Sequence, residues 1–357
     1  MATNSLTIRS QLKRTLDLLL RDPASTGSRP RDLAKRAAFL HQRERWLWSP
    51  RRFRSLDSVP LDRPIFMLGV QGGGLTLIAH TLQRHPDVVT MSGNASSWTA
   101  LNELGVEPTR MRRLPPSLWG CKFRDDIDHP LFGNRHSNVY ATPALLPHYR
   151  RTGADATAEE RRALERLLRE HIAAYARDPQ TARFLDKTQT YTVSVSFLDE
   201  LLRPHDPRFL LVVRDPYTMA YRSVRKQPPS FRHELPYEER LRLVAQHWAN
   251  SVRLALEDGE QVEHFLTVRF EDFTGEPRRV LQEICDFVEL DFREDMLPQP
   301  QHRVPFNTWP GEDKWYPIRD DPWRAQLSEQ EIAIVDESCR ELAERFGYAP
   351  LAERLVG

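Results

Sequence analysis

Between residues 65 and 82 the pattern of hydrophobic and polar positions changes from an unbroken apolar run to apolar residues at helical spacing. Ile65–Val70 is an unbroken apolar run of the length expected for a buried strand. After Gln71–Gly74, which contains three consecutive glycines, apolar residues recur at helical spacing up to Leu82. His85–Asp87 carries a proline that ends this helix, and Val88 opens another short apolar run. The pattern therefore predicts a strand, a glycine loop, a helix and a second strand.

The same two patterns, unbroken apolar runs and apolar residues at helical spacing, recur further along the chain. Apolar runs predict further strands that end at Lys187, Val213 and Val268. Helical spacing predicts helices at residues 155–176, 193–202, 237–256, 277–288 and 329–346, with another from Tyr217. This alternation predicts a three-layer α/β fold with a mainly parallel central sheet and a P-loop-like phosphate loop.

The domain organisation follows from the same pattern. Residues 1–60 are predicted to be a basic helical N-terminal extension, and residues 61–357 one α/β domain. Within that domain, 118–149 and 307–323 follow neither period and are predicted to be irregular segments that could fold over a ligand. We expect 118–176 to be an insertion that covers a bound substrate, and Ser92–Asn94 to be a loop that leaves the C-terminal end of a strand.

Charge is distributed unevenly although the net charge is only +1. Residues 1–60 hold 13 Lys and Arg against five Asp and Glu, so the extension carries a net +8 and the remainder −7. Such an arm can make peripheral contact with a membrane surface, but we favour a solvated Arg-rich face, and we predict no nucleic-acid partner. The oligomeric state stays open.

Cysteine usage and hydropathy point to the compartment. The three cysteines are far apart and form no C-x-x-C pair, which argues against a metal centre or a disulfide framework. No signal-peptide core and no apolar window of transmembrane length are found, so we expect a cytoplasmic protein.

The glycine loop is a candidate anion site, because backbone N–H groups at a helix N-terminus face an anion in such βα turns. The alternative is a tight turn that binds nothing. The ATPase and GTPase motif ends in Gly-Lys-Ser/Thr, whereas here Leu75-Thr76 follows Gly74, and the dinucleotide pattern G-x-G-x-x-G is also absent.

Charged side chains follow three of the predicted elements. Lys187 and Arg214 each come at the end of an apolar strand, and the C-terminal ends of parallel strands meet at one edge of a sheet. Together with the glycine loop they predict an anion pocket, although a structural ion pair is the alternative for Arg214. Glu103 is the nearest carboxylate downstream of the loop and a candidate general base, the alternative being a solvated helix residue.

With these pieces in place, the chain resembles the sulfotransferases that use 3′-phosphoadenosine 5′-phosphosulfate (PAPS) over residues 62–292. Gln71–Thr76 lines up with the family's Pro-Arg/Lys-Ser-Gly-Thr-Thr loop, and Arg214–Pro216 followed by Ser223 with its Arg-Asp/Asn-Pro motif and later serine. Phe270–Phe273 matches the family's Tyr/Phe-Glu-Asp-Leu/Phe, and Asp186–Thr188 its lysine segment.

The resemblance implies transfer of a sulfonate group from PAPS to a hydroxyl or amine of a small-molecule or carbohydrate acceptor, without a metal. Arg214 with Arg222 or Ser223 would bind the 3′-phosphate, Lys187 would neutralise the transferring sulfonate, and Glu103 would take the acceptor's proton. The 5′-phosphosulfate would be bound by the backbone amides of Gly72, Gly73, Gly74, Leu75, Thr76 and Leu77, with the Thr76 hydroxyl.

The loop departs from the family at the position of its cation, where this chain has Gly72. Losing one charge-assisted hydrogen bond, worth about 1.5–3 kcal/mol, would slow transfer by roughly ten- to a hundredfold unless another cation replaces it. Lys187 is the best candidate by position, and Lys314 or Arg222 could also serve.

Two other functions remain open from the sequence. Gly72 favours a catalytically silent member of the family that binds PAPS or its product as a binding module. A nucleotide-dependent phosphotransferase is the second, against which the missing Gly-Lys-Ser/Thr argues.

Overall fold

The computed structural model describes residues 41, 44–50, 55–96, 103–105, 108–122, 124–225, 229–297, 303–307, 313–317 and 326–348. Most of the predicted N-terminal extension, residues 1–60, lies outside these ranges. Among the described residues, none of the helices combines the length and the apolar composition needed to cross a bilayer.

The strands of the described residues are β1 (Ile65–Leu68), β2 (Val88–Thr90), β3 (Gly93–Asn94), β4 (Arg183–Asp186), β5 (Arg208–Val213), β6 (Phe265–Arg269), β7 (Arg303–Asn307) and β8 (Asp313–Pro317). Of these, β1, β2, β4, β5 and β6 match predicted apolar runs. The α-helices of the described residues are α1 (Arg45–Trp48), α2 (Leu75–Leu82), α3 (Pro108–Met111), α4 (Leu146–Tyr149), α5 (Ala158–Tyr175), α6 (Val195–Leu202), α7 (Pro216–Arg225), α8 (Tyr237–Gly259), α9 (Phe270–Gly275), α10 (Pro277–Val288) and α11 (Glu329–Arg345).

Six strands form one sheet in the order β3-β2-β4-β1-β5-β6. All neighbouring pairs are parallel except β2 and β3. The chain leaves β1 towards β2 and β4 on one side and later crosses to β5 and β6 on the other, so β1 stands at the topological switch point. Ligands of open α/β sheets bind in the crevice beyond the C-terminal ends of the strands at such a point.

The two faces of the sheet are both covered, as a parallel sheet requires. Phe66 and Leu68 of β1 belong to a core cluster on the face that also packs α5, α6, α8 and α11. Ile65 and Met67 point to the opposite face, which packs α2 and α10. Because successive side chains of a strand alternate between faces, one apolar run supplies both cores. The predicted three-layer architecture is confirmed.

Two expectations about loops are wrong. Residues 313–317, predicted to be irregular, form β8, which pairs antiparallel with β7 beside helix α2. The Trp- and Pro-rich composition of this hairpin hides the alternation by which a strand is recognised. Ser92–Asn94 was expected to be a loop, yet Gly93 and Asn94 pair with β2 as an edge strand.

The segment 118–149 is mostly irregular, as predicted, but it has an apolar core of its own. Val139, Tyr140 and Phe132 are buried there with other side chains of the segment. Trp46, from the predicted N-terminal extension, is fully buried in the main core. The domain boundary at residue 60 stays a prediction.

Candidate active site

The glycine loop lies between β1 and α2, at the switch point of the sheet. Gly74 is the N-cap residue of α2 and has φ +93°, a conformation that L residues rarely adopt. A Cβ at this position would lie 2.0 Å from Cδ2 of Phe270, so the loop can pack against Phe270 only with glycine. Gly72 is also left-handed, with φ +81°. The loop therefore needs glycine for its conformation at 72 and for space at 74.

Some of the predicted phosphate donors are engaged within the loop. The Gly73 N–H donates to the Val70 carbonyl at 3.0 Å, and the Leu77 N–H donates to the Gly74 carbonyl at 2.9 Å. These two amides close the turn and the first turn of α2 in this structure. Thr76 is half-buried in that turn, and the Leu75 side chain is buried in the core beneath it.

Arg214 joins the ends of three neighbouring strands. It follows β5, where Val213 is in register with Arg269, so that residue 214 comes to lie beside Phe270. Its guanidinium is 4.3 Å from the Phe270 ring centroid, and its Nη1 donates to the Gly72 carbonyl at 2.7 Å. The side chain is buried, which keeps its charge at the glycine loop.

A group of charged side chains surrounds Glu103. Lys187, which follows β4, forms an ion pair with the Glu103 carboxylate and is itself buried. The Lys122 Nζ lies 3.3 Å from the second carboxylate oxygen, and the Gln189 Nε2 donates to the first at 3.1 Å. We call these four residues the Glu103 cluster.

The cluster controls the protonation of Glu103. Burial alone would raise the pKa of this carboxyl, but the charges of Lys187 and Lys122 and the hydrogen bonds to the group outweigh burial and lower its pKa to about 2. The charge of Glu103 in turn raises the pKa of Lys122. In this arrangement Glu103 is a carboxylate with low proton affinity, held as the counter-ion of two ammonium groups.

Asp186 holds the backbone on which Glu103 sits. Its carboxylate accepts from the Leu104 N–H at 2.7 Å and from the Thr188 N–H at 2.8 Å. The Thr188 hydroxyl then accepts from the Gly105 N–H at 3.0 Å. Burial raises the pKa of Asp186 to about 6 in spite of these hydrogen bonds, which favour the charged form. Residues 103–105 are thereby fixed to the loop that follows β4.

Hydrogen bonds also tie this part of the site to the glycine loop. The Gly69 N–H donates to the Thr192 hydroxyl at 2.7 Å, and that hydroxyl donates back to the Gly69 carbonyl at 3.1 Å. The Gln71 Nε2 lies 3.1 Å from the Cys121 Sγ, and the Cys121 N–H donates to the Thr190 hydroxyl at 3.0 Å. The glycine loop, the loop after β4 and the start of segment 121–149 therefore form one connected edge.

The remaining predicted residues lie in helix α7 and in the β7–β8 hairpin. Arg222 is half-buried and Ser223 buried, both near the C-terminal end of α7, the helix that begins two residues after Arg214. Lys314 lies in β8, where its backbone pairs with Phe306 of β7. Since β7 contacts α2, the hairpin lies beside the helix that the glycine loop begins.

Lys122 and Gln189 of the Glu103 cluster were not predicted from the sequence. Lys122 belongs to a segment without periodicity, so nothing local placed it beside Glu103. Phe270 was identified only as part of a motif, although it is the surface against which both Gly74 and Arg214 pack. A signal for Lys122 did exist, because lysine is rare in this chain and arginine is common.

The model of the sulfotransferase family matches residues 64–294, which is more than half of the chain. This chain belongs to the sulfotransferase family. Membership makes it a sulfotransferase by class, as the resemblance implied, and supports PAPS as its donor.

Several solved structures are similar at low identity. A sulfotransferase from Mycobacterium avium is 15% identical, with 96% of this chain and 92% of that chain covered and a TM-score of 0.49. The sulfotransferase domain from the curacin biosynthetic pathway is 18% identical, with 81% and 99% covered and a TM-score of 0.45. The sulfotransferase domain of the olefin synthase from Synechococcus PCC 7002 is 21% identical, with 82% and 97% covered and a TM-score of 0.42. No curated protein sequence matches this one.

Proposed function

We propose that this protein transfers the sulfonate group of PAPS to a hydroxyl or amine of a small-molecule or carbohydrate acceptor. One observation carries the proposal: the glycine loop, Arg214 and the Lys187–Glu103 pair converge at the C-terminal edge of the parallel sheet. Anion-binding groups and a carboxylate in contact with an ammonium are the parts that in-line transfer of an anionic group needs.

The donor would bind along the edge from α7 to the glycine loop. The amides of the loop other than those of Gly73 and Leu77, which close its turns, would bind the 5′-phosphosulfate at the N-terminus of α2 together with the Thr76 hydroxyl. Arg214 with Arg222 or Ser223 would bind the 3′-phosphate. The guanidinium of Arg214 is suited to this role because it presents several N–H groups in a fixed plane and is already oriented by Phe270.

In the transfer step the acceptor oxygen or nitrogen attacks sulfur, and the bond between sulfur and the bridging phosphate oxygen breaks. Lys187 would neutralise charge on the sulfonate and on the departing oxygen of adenosine 3′,5′-bisphosphate. Glu103 would take the proton of the acceptor.

The pKa of Glu103 makes this role depend on the donor. At a pKa of about 2 the carboxylate is a weak base, and the two lysines are the cause. When Lys187 turns towards a bound sulfonate, its stabilisation of the Glu103 carboxylate weakens and the pKa of Glu103 rises. Donor binding would in this way prepare the base that the reaction requires.

The first test is donor binding, because it needs no knowledge of the acceptor. Adenosine 3′,5′-bisphosphate should raise the melting temperature by a few degrees, since a ligand at a hundred times its dissociation constant adds about 2.7 kcal/mol to stability. Arg214→Ala should abolish this shift. Arg242→Ala is the matched control, because it removes an exposed arginine of α8 that pairs with Glu337 at 2.9 Å.

Other ligands separate the alternatives. A shift with ATP and Mg²⁺ but not with the bisphosphate would favour a phosphotransferase and end the proposal. Bound PAPS that stays intact for hours with a broad set of acceptors would favour a silent binding member, the alternative that Gly72 supports. The segment 118–176 is tested separately with Tyr140→Ala, which removes apolar packing within it. If this segment covers the acceptor, the variant should change the KM for the acceptor and leave the affinity for the bisphosphate intact.

A further inference from the structure

The chain uses arginine almost everywhere that it needs a cation. It has 45 arginines and six lysines, which are Lys13, Lys35, Lys122, Lys187, Lys226 and Lys314. Lys122 and Lys187 are the two lysines whose side chains the structure describes, and both contact the carboxylate of Glu103. Ammonium groups thus meet at a single carboxylate in a chain that otherwise prefers guanidinium.

The glycine loop cannot easily carry its own cation. Gly72 occupies the family's basic position with φ +81°, where any L residue is strained. Its carbonyl accepts from Arg214 at 2.7 Å, which holds the loop in this conformation. A cation for the transferring sulfonate therefore has to come from another part of the chain.

Lys122 is connected to the loop through its neighbour. The Gln71 side chain, directly before Gly72, donates to the Cys121 Sγ at 3.1 Å and accepts from the Asn138 N–H at 3.3 Å. The segment that carries Lys122 is thereby fastened to the residue beside the missing cation, while its Nζ lies 3.3 Å from Glu103.

The two lysines differ in their freedom to move. The Lys187 side chain is 4% exposed and the Lys122 side chain 47% exposed. Lys122 can therefore turn from Glu103 to a bound anion without opening the core. An ammonium on a flexible stem suits such an exchange better than a planar guanidinium.

We propose that Lys122 is the cation that replaces the missing loop residue: it binds the sulfonate oxygens of PAPS and is held by Glu103 until the donor arrives. This inference rests on the proposed function. Lys122 would then turn from Glu103 to the sulfonate, which the buried Lys187 contacts as well.

The test compares two ligands that differ only in the sulfonate. Calorimetry with PAPS and with adenosine 3′,5′-bisphosphate is carried out on wild type, Lys122→Met and Lys122→Arg. Lys122→Met should bind PAPS roughly tenfold more weakly and the bisphosphate within about twofold of wild type, as expected for the loss of one charge-assisted hydrogen bond. Lys122→Arg should recover part of the PAPS affinity.

Arg112→Met is the matched control, because Arg112 is a cation of similar exposure in the same region, 42% exposed and paired with Asp125 at 2.7 Å. It should leave both affinities unchanged. Equal affinities of wild type and Lys122→Met for PAPS, or equal weakening of both ligands in Lys122→Met, would overturn the inference and leave the proposed function standing. Failure of wild type to bind the bisphosphate would overturn both.

Discussion

The carboxylates of Glu44 and Glu103 pair with different kinds of cation, the first with an arginine and the second with two lysines. Glu44 forms a bidentate pair with Arg110, whose Nη1 lies 3.1 and 3.0 Å from the two carboxylate oxygens. The Arg110 guanidinium is completely buried, stacks on Trp46 at 5.0 Å and donates to the Met91 carbonyl at 3.1 Å. Glu103 instead faces two lysines at the edge of the sheet, one of them half-exposed.

The Arg110–Glu44 pair, which we call the clamp, is fixed in place, whereas the ion pairs of Glu103 can exchange partners. A guanidinium with several fixed partners cannot turn away without leaving buried polar groups unsatisfied, so the Arg110 pair holds the segment around Trp46 in place. An ammonium can leave its carboxylate when an anion offers the same charge. Under the proposed function, the Glu103 cluster would thus combine a stable resting state with cations that can turn to a phosphosulfate.

The largest effect is expected at the clamp. Arg110→Met removes the guanidinium that contacts both carboxylate oxygens of Glu44, which should cost about 3–5 kcal/mol in the free energy of unfolding, measured with denaturant. The double variant Glu44→Gln with Arg110→Met should be less destabilised than the single one, because both charges of the pair are then removed. The donor affinity of the folded fraction should stay the same. A loss of stability below about 1 kcal/mol would contradict the clamp.

For Lys187→Met we expect a smaller loss of stability than for Arg110→Met but a large loss of the transfer rate. Glu103 keeps the charge of Lys122 and the hydrogen bond from Gln189, so it stays paired and stability should fall by less than the about 3–5 kcal/mol expected for Arg110→Met. Conversion of PAPS to the bisphosphate should slow by about 10²- to 10³-fold, since a group that stabilises transition-state charge is lost. Single-turnover assays with enzyme in excess measure this rate. A Lys187→Met variant with the wild-type rate would remove Lys187 from the chemistry.

Most of the fold was accessible from the sequence because its elements are locally periodic. Ile65–Leu68, Arg208–Val213 and the helix at Pro277–Val288 lie within one or two residues of their predicted bounds. The placement of Lys187 and Arg214 at one edge followed from parallel topology, which brings strand ends together. These predictions needed no knowledge of contacts between distant segments.

The rest of the site depends on such contacts. Lys122 reaches Glu103 because an irregular segment folds back over the sheet, and no spacing rule relates residues 103 and 122. The contact between Arg214 and the Gly72 carbonyl depends on the register of β1 and β5 and on a left-handed glycine. Trp46 was assigned to a peripheral extension because its buried partner, Arg110, lies more than sixty residues away.

The last expected effect is a pH dependence of the free energy of unfolding, which should distinguish the region of Asp186 from that of Arg110. Burial raises the pKa of Asp186, which supports the Glu103 cluster, to about 6, whereas an unfolded aspartate has a pKa near 3.9. Between about pH 4 and pH 6 the folded chain therefore retains a proton that the unfolded chain has lost. The corresponding stability is fully present below about pH 4 and is lost as the pH rises through about 6. Asp186→Asn should remove about 3 kcal/mol of this dependence, which denaturant titrations across that range measure as a flatter profile. Leu167→Ala is the control, because it removes buried apolar packing and no titratable group, so it should lower stability at every pH and keep the wild-type profile. An unchanged profile in Asp186→Asn would mean that Asp186 is ionised throughout, held as a carboxylate by its hydrogen bonds to Leu104 and Thr188.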